Sequence, residues 1–273
     1  MTPIGVLPVI DGTAWLFCPA DRPERFAKAA DRADVVILDL EDGVASADRA
    51  SARRALVQVG LDPTRTVIRI NPSGTADHEA DLAALARTEF QTVMLAKTES
   101  AAQVAALDPL TVVALCETPA GVLAAPEIAA IANVTALMWG AEDLIAAIGG
   151  HSSRDATGGY RDVALHARAL VLLAAAAAKT AAIDAVYLDI ADLDGLAAEA
   201  ADSVASGFAA KACIHPTQVA VVRDAYRPAA DLVDWARRVL SAAETAPGVF
   251  TFDGLMVDEP VLRQARAIIS RSS

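Results

Sequence analysis

The 273-residue chain is poor in aromatic residues: they make up 4% of it, while hydrophobic residues make up 54%. Its core must therefore come from Ala, Val, Leu and Ile, with Ala-rich helix stripes that lie close to a sheet. It has three cysteines, Cys18, Cys116 and Cys213, each in an apolar strand-like run and none in a CxxC spacing. That points away from a disulfide framework and toward small core residues in a reducing cytoplasm. Positive charge is scarce too, with 23 Lys and Arg against 35 Asp and Glu, a net charge of −12. Nucleic acid and anionic membranes both demand basic patches, so neither is expected as a partner. An anionic small substrate needs only a local positive pocket. The N-terminus lacks the basic start and long apolar run of a signal peptide. The apolar stretch 164–183 is interrupted by His166, Arg168 and Lys179, and is expected to be a buried helix rather than a membrane span.

What is present is a rhythm. Eight short apolar runs, "WLFCPA", "VVILDLE", "TVIRIN", "TVMLAK", "TVVALCE", "TALMWGA", "AVYLDI" and "AKACIHP", are each followed by a helix-like segment. Continuous apolar strands alternating with helices indicate a parallel sheet covered by helices. Eight units in this length favour an α/β fold closed as a (β/α)8 TIM barrel, over residues 1–228. An open doubly wound sheet is the alternative, weakened by the lack of GxGxxG after a strand and of a P-loop. Residues 229–273 are expected to be a C-terminal helical extension, with a helix at 232–244 and another at the end. Its Phe250, Phe252, Leu255 and Met256 need a packing partner, and a neighbouring subunit would supply one. The polar, glycine-rich segment 149–162 is expected to be a loop over one barrel end, a candidate lid.

Nearly every apolar run stops at polar residues: Asp39 and Glu41, Arg69 and Asn71, Lys97, Glu117, Glu142 and Asp143, Asp189, His215. In a (β/α)8 barrel these ends surround one mouth. Glu117 and Asp143 lie one unit apart, so they should meet on adjacent strands. Two such carboxylates suit a hard cation such as magnesium, and alternatively a general acid/base pair. Without HxxxH, CxxC or clustered histidines, zinc and redox iron have little support. Arg69 needs an acid partner, Asp39 or Glu41, or a substrate carboxylate. After the first run, Pro23 and Glu24 open a helix, and Arg22, Arg25 and Lys28 make a positive patch suited to phosphate or to plain solvation. Cys116 has no visible His partner and fits the core. His78, His151 and His166 fit helix or loop surfaces, and His215 fits a structural position at a loop.

The ordered motifs "FCPADRPERFAKA", "ILDLEDGV", "RIN", "LAKTES", "ETPAG", "GAEDL", "KACIHPTQ" and "GLMVDEPV" span about 17–261. Together they resemble the citrate lyase beta-subunit-like branch of the malyl-CoA and citramalyl-CoA lyase superfamily. The resemblance implies a barrel that binds Mg2+ and a coenzyme A thioester. It assigns Glu117 and Asp143 to the metal, and Arg69, Glu117, Gly140, Ala141 and Glu142 to the substrate. It assigns Phe17, Pro19, Arg22, Lys28 and Asp189 to coenzyme A. Catalysis would fall to Arg69, Glu41 and Asp258, the last reaching a neighbouring subunit's site in a homotrimer. The chain departs from the family's usual pattern at Pro19-Ala20, Leu95-Ala96-Lys97 and Pro119-Ala120. The implied reaction is cleavage or formation of a 3-hydroxyacyl-CoA such as citramalyl-, malyl- or 3-hydroxy-3-methylglutaryl-CoA, giving acetyl-CoA and a 2-oxo acid. Alternatives are a malate-synthase-like condensation with hydrolysis, a CoA-free 2-oxo-acid aldolase, and a non-catalytic subunit of a larger lyase.

Overall fold

The computed structural model describes residues 11–246 and 248–272. The chain divides into two compact units, with the division after Val222, inside the helix Pro216–Tyr226.

The first unit is a closed barrel of eight parallel strands in sequence order. They are β1 (Ala14–Pro19), β2 (Val35–Asp39), β3 (Thr66–Ile70), β4 (Thr92–Leu95), β5 (Thr111–Cys116), β6 (Val134–Trp139), β7 (Ala181–Asp184) and β8 (Ala210–Cys213). β8 pairs with β1 and closes the ring. Strand side chains alternate between the two faces. Trp15, Ile37, Val67, Met94, Val113, Leu115, Ala136, Met138, Ile183 and Ala212 fill the interior. Continuing that alternation toward the C-terminal ends brings Asp39, Arg69 and Glu117 to the same inner side. The outer helices bury small residues: Asp162–Ala178 buries Ala164, Ala167, Val171, Ala174 and Ala175 at three- and four-residue spacing. These methyl-sized contacts let the helices sit close to the sheet, so few aromatics are needed.

One strand lies elsewhere than expected. The seventh is "AAID", not "AVYLDI". The stretch 164–183 is a helix to Ala178, a left-handed Lys179 at φ 60°, and then β7. Three apolar residues straight after an alanine helix carry no periodicity that separates them from it. Beyond Asp184 the chain leaves the ladder, and the Tyr187 carbonyl accepts a bond from Gln218 Nε2 at 2.8 Å. Among the described residues no helix is long and apolar enough to cross a membrane.

The second unit pairs the helices Ala230–Ala243 and Glu259–Arg271 with an antiparallel hairpin, β9 (Phe250–Phe252) and β10 (Leu255–Val257). Asp253 and Gly254 turn the hairpin with φ of 47° and 80°, the left-handed geometry that Asp-Gly supplies in two-residue turns. Val233, Ala236, Val239, Val257, Ala265 and Ile268 form its core, with Phe250 and Phe252 packed against it. Leu255 and Met256 remain exposed.

Candidate active site

β2 and β3 run in register so that Asp39 faces Arg69. The Arg69 guanidinium donates from Nε and Nη2 to the two Asp39 oxygens at 2.7 and 2.6 Å. Its Nη1 lies 3.1 Å from Glu41 Oε2, and the group sits 4.9 Å from the Phe17 ring centre. Burial, the largest single influence, would favour the neutral base, but Asp39 with Glu41 and Glu117 together outweighs it and holds the guanidinium charged. Asp39 also accepts the backbone N–H groups of Glu41 and Gly43. A side chain at Gly43 would collide with Asp39 Oδ2, so this turn requires glycine. Asp39 is thus committed to holding Arg69, whose remaining N–H groups are available to a ligand. Asn71 ties the strand ends together instead: its Nδ2 donates to Leu40 O at 2.9 Å and to Asp81 Oδ2 at 2.7 Å.

Lys97 follows β4 with φ of 49°, a left-handed conformation that is costly for a non-glycine residue. This turn points its backbone N–H at Glu117 Oε1, 3.0 Å away. Its Nζ lies 2.5 Å from Glu41, 3.0 Å from Asp42, 3.5 Å from Asp143 and 3.9 Å from Glu117. One ammonium therefore serves four carboxylates. The Glu117 carboxyl is pushed up to about 8, first by burial and then by the Asp143 charge, with Lys97 and Arg69 opposing. Burial also raises Glu41 despite Arg69 and Lys97. Asp42 is more open: burial raises it, but its bond to Lys97 and the nearby charges prevail and lower it. Lys97 belongs to the strand-end series in the sequence, but nothing there told that it would bridge four acids.

Of these groups, Asp39, Arg69, Glu117 and Asp143 border a cavity of about 280 Å3. Arg69, Glu117 and Asp143 line it together with the apolar side chains of Phe17, Leu115, Met138, Val186 and Ile214. Gly140, Ala141 and Glu142 also line it. The donors near Glu117 and Asp143 are all carboxylate oxygens, and the negative charge there exceeds what Lys97 neutralises. Among the described residues no group of three or more His, Cys, Asp or Glu is arranged to hold a metal. The pair of carboxylates alone fits a cation like magnesium, which takes one or two carboxylates and completes its shell with water and substrate oxygens. It does not fit a zinc site.

Next to it lies a second cavity of about 310 Å3, lined by Phe17, Pro19, Arg25, Lys28 and His215. Arg22 is not in that lining; it is largely exposed and lies 3.5 Å from Asp21. The residue beside Lys28 is Arg25, because Pro23–Arg25 forms a 3-10 turn before the helix Phe26–Arg32. Asp189 is not at a strand end. β7 ends five residues earlier, at Asp184, so Asp189 lies in an exposed loop and accepts the backbone N–H groups of Ala191 and Asp192. His78 is buried rather than on a surface, its Nδ1 2.9 Å from Asn71 O. The buried Cys116 thiol is pushed up to about 12 by burial and then by Glu117, which suits a core residue and not a nucleophile. Asp258, in the second unit, caps the helix Glu259–Arg271 by accepting the Val261 N–H at 3.4 Å.

The true end of β7 carries Asp184, which sequence reasoning missed with the strand. It is fully buried and bonded to Trp139 Nε1 at 2.6 Å, to Arg168 at 3.0 and 3.1 Å and to Ser203, with Lys211 Nζ 3.5 Å away. Burial alone would raise this carboxyl, yet Lys211 and Arg168 hold it down at about 2. Lys211 also bonds to Glu199 at 2.9 Å.

Comparison with known proteins agrees with this geometry. The HpcH/HpaI aldolase/citrate lyase family pattern matches residues 13–216. A citrate lyase subunit beta-like protein from Mycobacterium tuberculosis is 59% identical over 261 residues, 96% of each chain. The mitochondrial citramalyl-CoA lyase of Rattus norvegicus is 30% identical over 293 residues, covering 94% of this chain and 85% of the relative. Among solved structures, Mycobacterium tuberculosis CitE in complex with magnesium, acetoacetate and coenzyme A superposes with a TM-score of 0.94. It is 57% identical, over 97% of this chain and 99% of that one. The family pattern spans the barrel from β1 to β8 and the relatives extend over the second unit as well, so the chain is a lyase of the HpcH/HpaI aldolase/citrate lyase family.

Proposed function

We propose that the chain cleaves, or in reverse forms, the carbon–carbon bond of a 3-hydroxyacyl-CoA thioester in a magnesium-dependent reaction. Citramalyl-CoA would give acetyl-CoA and pyruvate, and malyl-CoA would give acetyl-CoA and glyoxylate. The 3-hydroxy-3-methylglutaryl thioester would instead give acetoacetate, a 3-oxo acid. The observation that carries the reading is the convergence of Glu117, Asp143 and Arg69 on one cavity that apolar side chains also line.

Glu117 and Asp143 would hold the magnesium ion, which when bound supplies positive charge to the oxygens of the oxo-acid portion. Arg69, fixed by Asp39, points its remaining N–H groups at the charge that moves from the hydroxyl oxygen as the bond breaks. The backbone at Gly140 and Ala141 borders the same space and would position the substrate carboxylate. Glu41 and Asp42 fix Arg69 and Lys97 rather than touching substrate. Phe17, Pro19 and Lys28, joined by Arg25, would receive the coenzyme A portion; Arg22 and Asp189 are less well placed for it. In cleavage, the hydroxyl proton leaves, the C–C bond breaks to a thioester enolate and an oxo acid, and the enolate carbon takes a proton. Asp258 from a neighbouring subunit would handle that last proton.

The test is release of acetyl-CoA from the three thioesters with magnesium, with EDTA as control. Release that EDTA abolishes is expected from at least one. No release from any of them rejects the reading. Release of free coenzyme A would indicate the malate-synthase-like alternative, and turnover by the purified single chain rejects a purely non-catalytic subunit.

A further inference from the structure

The segment 149–162 has no part in the chemistry above, yet it reaches the metal-side turn through one bond. Glu142 precedes Asp143 in the helix Ala141–Ala147, and Ser153 Oγ donates to Glu142 Oε1 at 2.6 Å. We infer that Ser153 is a positioning residue for the carboxylate pair, acting through Glu142; this rests on the assignment of Asp143 to the metal.

The turn needs such support. The helix has seven residues, and its N-cap, Gly140, offers no side-chain cap. A helix this short has little stability of its own and relies on packing, here of Ala141, Leu144 and Ile145, and on side-chain ties at its exposed residues. Nor can the N-cap be changed to a capping residue. A Cβ on Gly140 would stand 2.8 Å from Glu117 Cβ and 2.9 Å from Glu117 Oε2. The two proposed ligands are therefore fixed from different sides. Glu117 receives the Lys97 backbone N–H. Asp143, besides the Lys97 ammonium 3.5 Å away, depends on the first turn, which is tied down at Glu142.

Ser153 can serve as an anchor because it is itself immobilised. It is buried, and its carbonyl accepts the Arg161 N–H at 2.8 Å. Arg161 Nε donates to Ser152 O, and Arg154 pairs with Tyr160 in an antiparallel bridge. The Arg154 guanidinium lies 4.0 Å from the Tyr160 ring centre and 4.9 Å from that of Tyr187, and pairs with Glu199 at 2.6 Å. Glu199 in turn holds Lys211, which is fully buried on β8. The loop is thus a strut from the barrel wall to Glu142, not a free lid. Losing the hydroxyl would release Glu142 to solvent rotamers and let Asp143 drift from Glu117.

Titration of the full-length protein with Mn2+, read by the EPR signal of the free ion, tests this. Ser153→Ala is expected to bind Mn2+ more weakly by up to about 10-fold, the lower end of what losing a direct partner of a metal ligand costs, because Ser153 acts one residue removed from Asp143. Its melting temperature should stay near that of the wild type, and Ser153→Thr should restore affinity to within about twofold of the wild type. If Ser153→Ala fails to fold, the pair Glu142→Gln and Glu142→Leu replaces it. Gln still accepts the bond and should bind Mn2+ more tightly than Leu. Wild-type affinity in folded Ser153→Ala, or equal affinity in the two Glu142 variants, overturns the inference and leaves the lyase reading standing. No Mn2+ binding by the wild type overturns the metal assignment and the inference with it.

Discussion

Glu117 is the residue on which the pH behaviour turns. Its carboxyl moves from an ordinary 4.5 to about 8 in the folded chain. A raised carboxyl means the folded state keeps a proton that the unfolded state has released. Between pH 4.5 and about 8 the metal-free protein should therefore lose stability as pH rises, with no further loss from this group above that window. Magnesium binding needs the ionised carboxylate, so its affinity should climb across the same window. Glu117→Gln should flatten the stability trend in the metal-free protein and lose most magnesium binding. Thermal melts with and without magnesium at pH 5, 6.5 and 8 check both signs, and a wild-type melting curve that rises with pH in EDTA would contradict them. Much of this residue's placement was legible: an acid ending an apolar strand, one unit from another acid. The role of Lys97 was not, because its effect depends on a backbone turn at φ 49° that no residue pattern signals.

Among the elements, β7 shows where sequence reasoning lost information. The other seven strands lie within the apolar runs read from the sequence, while "AAID" had only Ile183 to set it apart from the alanines before it. The error moved the strand end from Asp184 to Asp189, and with it hid the charged network behind β6 to β8. Asp184 sits between Lys211 and Arg168 with no exposure of its own. Asp184→Asn would leave two buried cations short of an anion, which costs about 3–5 kcal/mol. Urea unfolding should show that loss, while the Glu117 and Asp143 side of the mouth keeps its own bonds. A loss under 1 kcal/mol would mean that Glu199 and Asp202 already satisfy the cations.

For the whole molecule, the barrel order was readable from eight repeats, but the origin of Asp258 is a question of assembly. If it works in a neighbour's site, mixing inactive Asp258→Ala with inactive Glu117→Gln should restore part of the activity once subunits exchange. No recovery after demonstrated exchange would reject the arrangement. The crowding of acids around Lys97 has a kinetic consequence too. With Glu117 still holding its proton in the cation-free mouth, Asp39, Glu41, Asp42 and Asp143 outnumber Arg69 and Lys97 by two charges, 4 − 2, in a protein whose formal net charge is −12. A polyanionic thioester approaching that mouth is repelled until a divalent cation has entered it. Binding should then be ordered, cation first, with the thioester trapping the cation behind it. Initial rates would carry that signature: as the thioester approaches saturation, the magnesium concentration needed for half-maximal rate falls toward zero.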